Sequence, residues 1–347
     1  MSALDAHVRE IVRWHLSPKT GTPLWIEWAQ ASGVRPEDIQ GFEDLSQLPR
    51  FDDTWLRDLP HDQLIPRAYA DQPYAVFETG GTTGRPKQRL SWRDHQVDYE
   101  RFSDALDPAA FPQGGAWLMV GPTGPRRLRL TIEHLANHRG GPCYHVDCDP
   151  RWAKHLASEG RHTEAQAYTA HVIDQALTVL KHRPIQCLFT TPTLLEALGD
   201  AIDLQALDLR GVFCGGTSMS AQTLRFLVEE VLGPDITLLP TYGNTLMGLA
   251  IGLPVNEACG FRPSYYPPEP RAVLRVVDPD NTEQLVDYGA WGRVELTTLT
   301  RELLLPRHLE RDEAIRLAPT AAYPFDGVGD VRPLGTGAGD VSVEGVY

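Results

Sequence analysis

The chain contains 347 residues, of which 32 are Lys or Arg and 46 are Asp or Glu, so its formal net charge at pH 7 is −14. Hydrophobic residues make up 42% of the chain and charged residues 22%, which is typical of a globular protein with a buried core and unlike a disordered chain. Nucleic acids and anionic membranes are bound by clustered Lys and Arg, so this acidic composition argues against either as the main partner. A small-molecule substrate is favoured instead.

The N-terminal residues predict a helical lead-in. Residues Ala6 to His15 have the apolar spacing of an amphipathic helix, and helical pieces alternate with turn-rich ones over residues 1–70. A secretory signal needs an uninterrupted apolar segment, whereas Asp5, Arg9 and Glu10 interrupt this one. We therefore expect a cytoplasmic protein.

The longest apolar stretch does not predict a membrane span. It extends from Leu238 to Val255 and contains Pro240 and Asn244, so it is too broken for a span of about 20 residues. We expect no membrane partner.

The five cysteines are too sparse for the disulfide framework of a small secreted domain, and they fit reduced core thiols.

From residue 71 onwards, short apolar runs bounded by Gly and Pro predict strands buried in a sheet. Helical patterns over Thr163–Lys181 and Ala221–Leu232 lie between several of these runs, so strands and helices alternate as in an α/β domain. We expect the α/β core over residues 71–332 and a glycine-rich hinge remnant over residues 333–347. The predicted strands are Tyr74–Phe77, Ala116–Val120, Ile185–Phe189, Gly211–Phe213, Ile236–Leu239 and Val273–Val277.

The sharpest motif is the segment Glu78–Lys87, which follows the first predicted strand and has the sequence ETGGTTGRPK. Its glycines allow backbone N–H groups to face an anion, its threonines add hydroxyl donors and Lys87 adds a point charge, so the segment suits a polyphosphate. It is not a Walker loop, because Arg85 and Pro86 separate the last glycine from the lysine. A flexible surface turn is the alternative interpretation.

Two further groups of residues could suggest other chemistry. Cys143, His145 and Asp147 share one face of a predicted strand, and we favour a structural strand edge there over a metal site. His95, His134 and His138 have no visible Ser or Cys partner, so a hydrolase triad has no support.

Segments spread over nearly the whole chain resemble the adenylate-forming superfamily, which includes acyl-CoA synthetases, nonribosomal adenylation domains and luciferases. The resemblance is to its phenylacetate-CoA ligase branch in particular. Thr79–Lys87 is similar to the phosphate-loop signature TSGTTG-x-PK of that family. The other matching segments are Leu48–Pro60, Thr190–Thr193, Gly215–Ser218, Thr241–Thr245, and Gly292–Glu302 followed by Pro306 and Arg311-Asp312.

The resemblance implies the α/β fold of the large domain of these enzymes, built of layered sheets and helices, with the small C-terminal domain absent. It also implies that ATP is bound, with Lys87 and Thr245 as the catalytic residues. Asp312 would accept hydrogen bonds from the ribose hydroxyls, and Asp330 is a rival for that role. The residues implied to bind the nucleotide are Thr79, Gly80, Gly81, Thr82, Thr83, Gly84 and Lys87 at the phosphates, Gly215, Gly216, Thr217 and Tyr242 near the adenine, Gly243 and Asn244 after Tyr242, Thr245 at the α-phosphate and Asp312 at the ribose.

The sequence departs from the family pattern at two places. The family has a glutamate that holds Mg²⁺ where this chain has Leu246, which cannot bind a hard cation, so either the metal site is weakened or another carboxylate substitutes. The family also continues beyond the hinge into a small mobile domain with a lysine that this chain is expected to lack. Thioester formation would then need an external acceptor enzyme or carrier protein.

The implied reaction activates a carboxylic acid, aryl or of medium chain length, with ATP to give an acyl-AMP and pyrophosphate. The acyl group would pass to an amine, CoA or a carrier protein in a specialised biosynthetic pathway. The acid is expected near Phe189–Thr193, Phe213–Thr217 and Leu246–Leu249. The alternatives are a non-catalytic accessory protein that keeps the nucleotide fold, and a truncated acyl-CoA ligase.

Overall fold

The computed structural model describes residues 2–79, 85–124 and 127–335. Helices and strands alternate along the chain, which confirms the mixed α/β prediction. The π-helix Leu227–Leu232 directly continues the last α-helix. The α-helices of the described residues are α1 (Ala3–Leu16), α2 (Pro23–Ser32), α3 (Trp55–Asp58), α4 (His61–Leu64), α5 (Asp94–Ala105), α6 (Leu128–His138), α7 (Pro150–Ser158), α8 (His162–His182), α9 (Pro192–Ala201) and α10 (Ala221–Phe226).

All six predicted strands are present, with shifts of at most one residue at their ends. The strands of the described residues are β1 (Ala75–Glu78), β2 (Gln88–Ser91), β3 (Ala116–Gly121), β4 (Cys143–Asp147), β5 (Ile185–Thr190), β6 (Gly211–Cys214), β7 (Thr237–Pro240), β8 (Tyr242–Asn244), β9 (Gly248–Gly252), β10 (Ser264–Tyr266), β11 (Ala272–Val277), β12 (Trp291–Leu299), β13 (Leu304–Leu317) and β14 (Gly327–Pro333).

The chain divides into two compact units and passes between them within α5, β8, β9, β10 and β14. The predicted domain limits at residues 70 and 332 stay a prediction, and residues 336–347 of the predicted hinge remnant lie outside the described residues. Unit 1 comprises Met1–His95, Asn244–Gly248 and Tyr266–Val328, and unit 2 comprises Gln96–Gly243, Leu249–Tyr265 and Gly329–Tyr347.

Unit 2 contains a parallel five-stranded sheet in the order β4-β3-β5-β6-β7. Alternate side chains of β3 point to opposite faces: Leu118 and Val120 join one buried cluster, while Trp117 and Met119 join another. Both faces of β3 are therefore covered, which explains why this strand is a continuous apolar run in the sequence, whereas the edge strand β4 carries His145 and Asp147 outside the core.

Unit 1 contains a two-stranded antiparallel hairpin of β1 and β2, and an antiparallel arrangement in which β12 lies between β11 and β13. Strand β1 differs from the expectation of a strand buried in the sheet, because Val76 is 37% exposed while its neighbour Phe77 is buried. Alternation of one buried and one exposed side chain is the pattern of a strand that covers a core with a single face.

His15, on α1, is fully buried in unit 1 and has two hydrogen-bond partners. Its Nε2 donates to the carbonyl oxygen of Thr300 at 2.8 Å, and its Nδ1 accepts from the hydroxyl of Thr22 at 2.8 Å. A carbonyl can only accept, so the ring is the neutral Nε2–H tautomer. Burial lowers the pKa of His15 to about 4.

This histidine makes stability depend on pH. The unfolded chain binds the proton near pH 6.5 and the folded chain only near pH 4, so stability is lost as the pH falls through that window. We expect His15 to contribute a loss of about 3 kcal/mol in the free energy of unfolding between these two pH values. Urea unfolding across the window should show a shallower decline for His15→Gln. An equally steep decline would contradict this role.

None of the helices in the described part of the chain has both the length and the apolar character that a bilayer crossing requires.

Candidate functional site

The ends of the glycine-rich segment are joined at the base of the β1–β2 hairpin in unit 1. The backbone N–H of Thr79 donates to the carbonyl of Lys87 at 2.9 Å, and the Thr79 hydroxyl accepts from the backbone N–H of Lys87 at 3.0 Å. The antiparallel register that pairs Glu78 with Gln88 continues directly from these bonds. The predicted phosphate-binding residues Gly80, Gly81, Thr82, Thr83 and Gly84 lie outside the described residues.

The Lys87 side chain is buried and its ammonium group forms an ion pair with the carboxylate of Asp53. The Asp53 carboxylate also faces Nε2 of His308 at 3.7 Å, and that nitrogen lies 3.9 Å from the carboxylate of Glu310. Glu310 in turn accepts a hydrogen bond of 2.7 Å from the side-chain amide of Asn244. A continuous polar chain therefore joins Lys87 to Asn244 within unit 1.

The segment that follows Asn244 is held by its backbone. The Asn244 side-chain oxygen accepts from the backbone N–H groups of Leu246 and Met247 at 2.9 and 2.8 Å. The guanidinium of Arg89 donates to the carbonyl oxygens of Thr245 and Leu246 at 2.9 and 2.7 Å. The position of Thr245, itself 8% exposed, is thus fixed by partners on both sides.

Arg89 is part of a buried ionic network. It is 2% exposed and pairs with Asp94 at 2.9 Å, and Asp94 also pairs with Arg271 at 2.7 Å. Burial alone would raise the pKa of Asp94, but the guanidinium groups of Arg271 and Arg89 outweigh it and lower that pKa. Arg85 lies outside this buried network: its side chain is 75% exposed and pairs with Asp58.

Glu302 completes this network at the N-terminus of α5. Its carboxylate accepts from the Ser91 hydroxyl and from the backbone N–H groups of Trp92 and Asp94, each at 2.9 Å, and from that of Arg93. Burial and the negative charge of Asp94 raise the pKa of Glu302. A carboxylate at the start of a helix satisfies amide groups that have no partner within the helix.

Three residues predicted to lie near the adenine, Gly215, Gly216 and Thr217, are in unit 2 directly after β6. The backbone N–H of Gly215 donates to the carbonyl of Thr190 at 3.1 Å, and a Cβ at Gly215 would lie 1.9 Å from Oγ1 of Thr241. Gly216 has φ of +95°, a conformation that residues with a side chain rarely adopt. Both glycines are therefore required by the backbone path, and Thr217 follows them.

Tyr242 and Gly243 follow β7 in the same unit. The ring of Tyr242 lies 5.7 Å from that of Tyr265, at an interplanar angle of 47°. Burial raises the pKa of Tyr265.

Asp330, the rival of Asp312 for the ribose role, forms an ion pair with Arg262 and has φ of +49°. Its carboxylate is already occupied within unit 2.

The residues predicted to surround the acid are more buried than an open pocket would require. Phe189 and Phe213 are 2% and 0% exposed, and their rings lie 5.5 Å apart in one core cluster. Thr191 starts α9, its hydroxyl accepting from the backbone N–H of Leu194 at 3.4 Å. The buried hydroxyl of Thr190 has no hydrogen-bond partner in the structure.

Asp312 lies on β13, two residues after Glu310 and four after His308, and the pairing of β13 with β12 is irregular between Leu309 and Glu313. The sequence pattern singled out Asp312 but missed His308, Glu310 and Asp53. The ionisable side chains of His308 and Glu310, shortly before Asp312 in the sequence, were the signal that could have indicated the first two.

Leu246 does not fit a magnesium ion, and in unit 1 the carboxylate of Glu310 is hydrogen-bonded to Asn244, two residues before it. Leu246 is 5% exposed, and its carbonyl oxygen already accepts from Arg89 and from the Thr298 hydroxyl at 3.1 Å. Glu310 supplies a carboxylate that is 13% exposed and hydrogen-bonded to Asn244. Carboxylate oxygens are the ligands that Mg²⁺ prefers.

No family model matches the sequence. Phenylacetate-coenzyme A ligase of Escherichia coli strain K12 is 25% identical over 328 residues, which cover 92% of this chain and 68% of that protein. The structure is similar to that of 2-hydroxyisobutyryl-CoA ligase in complex with 2-HIB-AMP and CoA in the thioesterification state. The TM-score is 0.65 and the identity 16%, over 91% of this chain and 63% of that one.

The same ligase in the postadenylation state, in complex with 2-HIB-AMP, gives a TM-score of 0.63 at 14% identity, again over 91% of this chain and 63% of that one. At such identities the likeness is one of fold. The chain thus spans less than two thirds of the length of these solved ligases.

Proposed function

We propose that the chain is a member of the adenylate-forming superfamily of acid-activating ligases, in its phenylacetate-CoA ligase-like branch, and that it activates a carboxylic acid as an acyl-adenylate. In this reaction an oxygen of the acid attacks the α-phosphorus of ATP, and the bond from that phosphorus to pyrophosphate breaks. The products are acyl-AMP and pyrophosphate, and no net proton transfer is required.

The observation that carries this proposal is the buried position of the Lys87 ammonium at the closed base of the glycine-rich segment. The hydrogen bonds between Thr79 and Lys87 bring both ends of the segment together. A polyphosphate can replace Asp53 as the partner of the ammonium group, because both are anionic oxygen ligands. Lys87 would then neutralise negative charge that develops on the phosphate oxygens.

We assign the remaining roles within each unit separately. In unit 1, Thr245 donates to the α-phosphate and Asp312 accepts from the ribose hydroxyls. In unit 2, Gly215, Gly216 and Thr217 lie along the adenine, and Tyr242 flanks it with Gly243. These assignments rest on the positions that match the family segments and on the backbone contacts that fix them.

The acid is proposed to be aryl or of medium chain length, because the expected acid-binding residues are apolar. The acyl group then passes to an amine, CoA or a carrier protein. Such a transfer suits a biosynthetic pathway that joins an acid to a defined acceptor.

Magnesium, when bound, would neutralise the phosphate charges, and we propose that Glu310 is its carboxylate ligand in place of the family glutamate. Glu310→Gln is expected to raise the Mg²⁺ concentration for half-maximal pyrophosphate release about tenfold, because a neutral amide is a weaker ligand for a hard cation. Titration of Mg²⁺ at fixed ATP measures this value. Glu10→Gln, an exposed carboxylate of the same unit, is the control. Equal Mg²⁺ requirements in both variants would contradict the assignment.

A second candidate function is nucleotide binding without turnover. It is favoured by Leu246, a buried apolar residue that stands directly after Thr245, where the family has its metal-binding glutamate. This hypothesis predicts that ATP binds to the protein while no acid of a broad panel releases pyrophosphate.

The test is to incubate the purified protein with ATP, Mg²⁺ and a panel of aryl and acyl acids, and to measure pyrophosphate. The proposal predicts release that depends on the acid. Release that is absent for every acid, with ATP binding intact, would support the second candidate function.

A further inference from the structure

Helices α5 and α6 of unit 2 bring together three side chains with metal-ligating atoms that the adenylation reaction does not use. Glu100 lies on α5, and His134 and His138 lie one helical turn apart on α6. One ligand atom from each lies within 4.8 Å of the other two. Within the described residues, no other group of three or more His, Cys, Asp or Glu side chains meets this criterion.

We propose that Glu100, His134 and His138 form a binding site for one zinc ion that ties α5 to α6. Two imidazoles and one carboxylate are a donor set that zinc accepts, whereas Mg²⁺ and Ca²⁺ prefer oxygen ligands alone. A tetrahedral zinc ion with ligands at about 2.0–2.1 Å holds neighbouring ligand atoms roughly 3.4 Å apart. Nε2 of His134 and Oε1 of Glu100 are 3.0 Å apart, which is close to that separation.

The two histidine rings also have a favourable arrangement. They lie 6.0 Å apart between centroids at an interplanar angle of 27°, so both project from the same face of α6. The side chains of His134 and Glu100 are 25% and 28% exposed, and His138 is exposed. His138 can therefore turn onto an ion without displacing packed atoms, and the fourth position stays open to water.

Buried contacts on either side of the cluster hold the two helices in register. Arg127, at the start of α6, pairs with Asp98 of α5 at 3.0 Å, and both side chains are at most 7% exposed. Arg139, at the end of α6, donates to the carbonyl and the hydroxyl of Ser103 at 2.9 and 2.8 Å. The ligands are thus positioned before an ion arrives, which lowers the entropic cost of binding.

The test is a calorimetric titration of the full chain with Zn²⁺ after treatment with a chelator. We expect one ion per chain, and an affinity at least about tenfold weaker in each of His138→Ala and Glu100→Gln. The double variant His134→Ala/His138→Ala should lose the site. His155→Ala is the matched control, because His155 also faces a glutamate one turn away, Glu159 at 3.5 Å, without a third ligand.

A second readout is thermal unfolding with and without Zn²⁺. Zinc should raise the midpoint of the parent protein and of the His155→Ala control, and the rise should disappear with His138→Ala. His138 is exposed, so this variant folds even if a change at His134 does not. Unchanged zinc affinity in His138→Ala and Glu100→Gln, or no saturable binding to the parent protein, would overturn the proposal.

Discussion

Replacing Lys87 by Ala is expected to lower the rate of acid-dependent pyrophosphate release by about 10²- to 10³-fold while the protein stays folded. Lys87 is the buried cation that closes the base of the glycine-rich segment, and its ammonium group faces a carboxylate where a phosphate can bind. Removal of that charge leaves the developing negative charge of the transition state without a partner. Initial rates at saturating ATP measure the effect.

Lys87→Met separates charge from packing, because it keeps an unbranched apolar stem in the buried position. It should be as inactive as Lys87→Ala. Lys181→Ala, a change of an exposed lysine on α8, should leave the rate unchanged. A rate close to that of the parent protein in both Lys87 variants would contradict the assigned role and favour binding without turnover.

Replacing Arg89 by Met is expected to lower the free energy of unfolding by about 3–5 kcal/mol. The substitution leaves the buried Asp94 carboxylate with Arg271 as its remaining cationic partner. It also removes the donor to the carbonyl oxygens of Thr245 and Leu246. Buried acceptors that lose a charged donor are costly because no water replaces it. Chemical unfolding monitored by circular dichroism measures the loss.

Arg85→Met is the matched control, because Arg85 lies four residues away and also pairs with an aspartate. Its side chain is 75% exposed and that of Asp58 is 49% exposed, so solvent screens the pair. We expect a change of at most about 1 kcal/mol. Equal losses in the two arginine variants would mean that burial of the Arg89 network does not contribute as argued.

Local patterns in the sequence predicted the elements around Lys87 well. The apolar run before the glycine-rich segment forms β1, and the residues at the ends of the segment meet as a hairpin requires. The strands of the unit 2 sheet were predictable for the same reason, since strands buried on both faces are continuous apolar runs.

Contacts between distant parts of the chain could not be predicted in this way. Asp53 lies 34 residues before its partner Lys87, and Glu310 lies 66 residues after Asn244. Arg89 follows the glycine-rich segment in the sequence, but its side chain is buried against Asp94 and the carbonyls beside Thr245. Only the fold brings these groups together, and a pattern within one segment carries no information about them.

Burial was also difficult to read from residue type. Phe189 was expected beside the acid as an apolar pocket residue, but it belongs to a packed cluster with Phe213. An apolar residue at the end of a strand fits either role in the sequence. The distinction depends on which helices cover that face of the sheet.

The most direct test of the central claim is the exchange of labelled pyrophosphate into ATP in the presence of a panel of carboxylic acids. This exchange reports only the reversible formation of acyl-AMP, so it requires neither an acceptor nor thioester formation. We predict label in ATP that appears only when a suitable acid and Mg²⁺ are present and that is lost with Lys87→Ala. No exchange with any acid, from a folded protein that binds ATP, would contradict the proposed function.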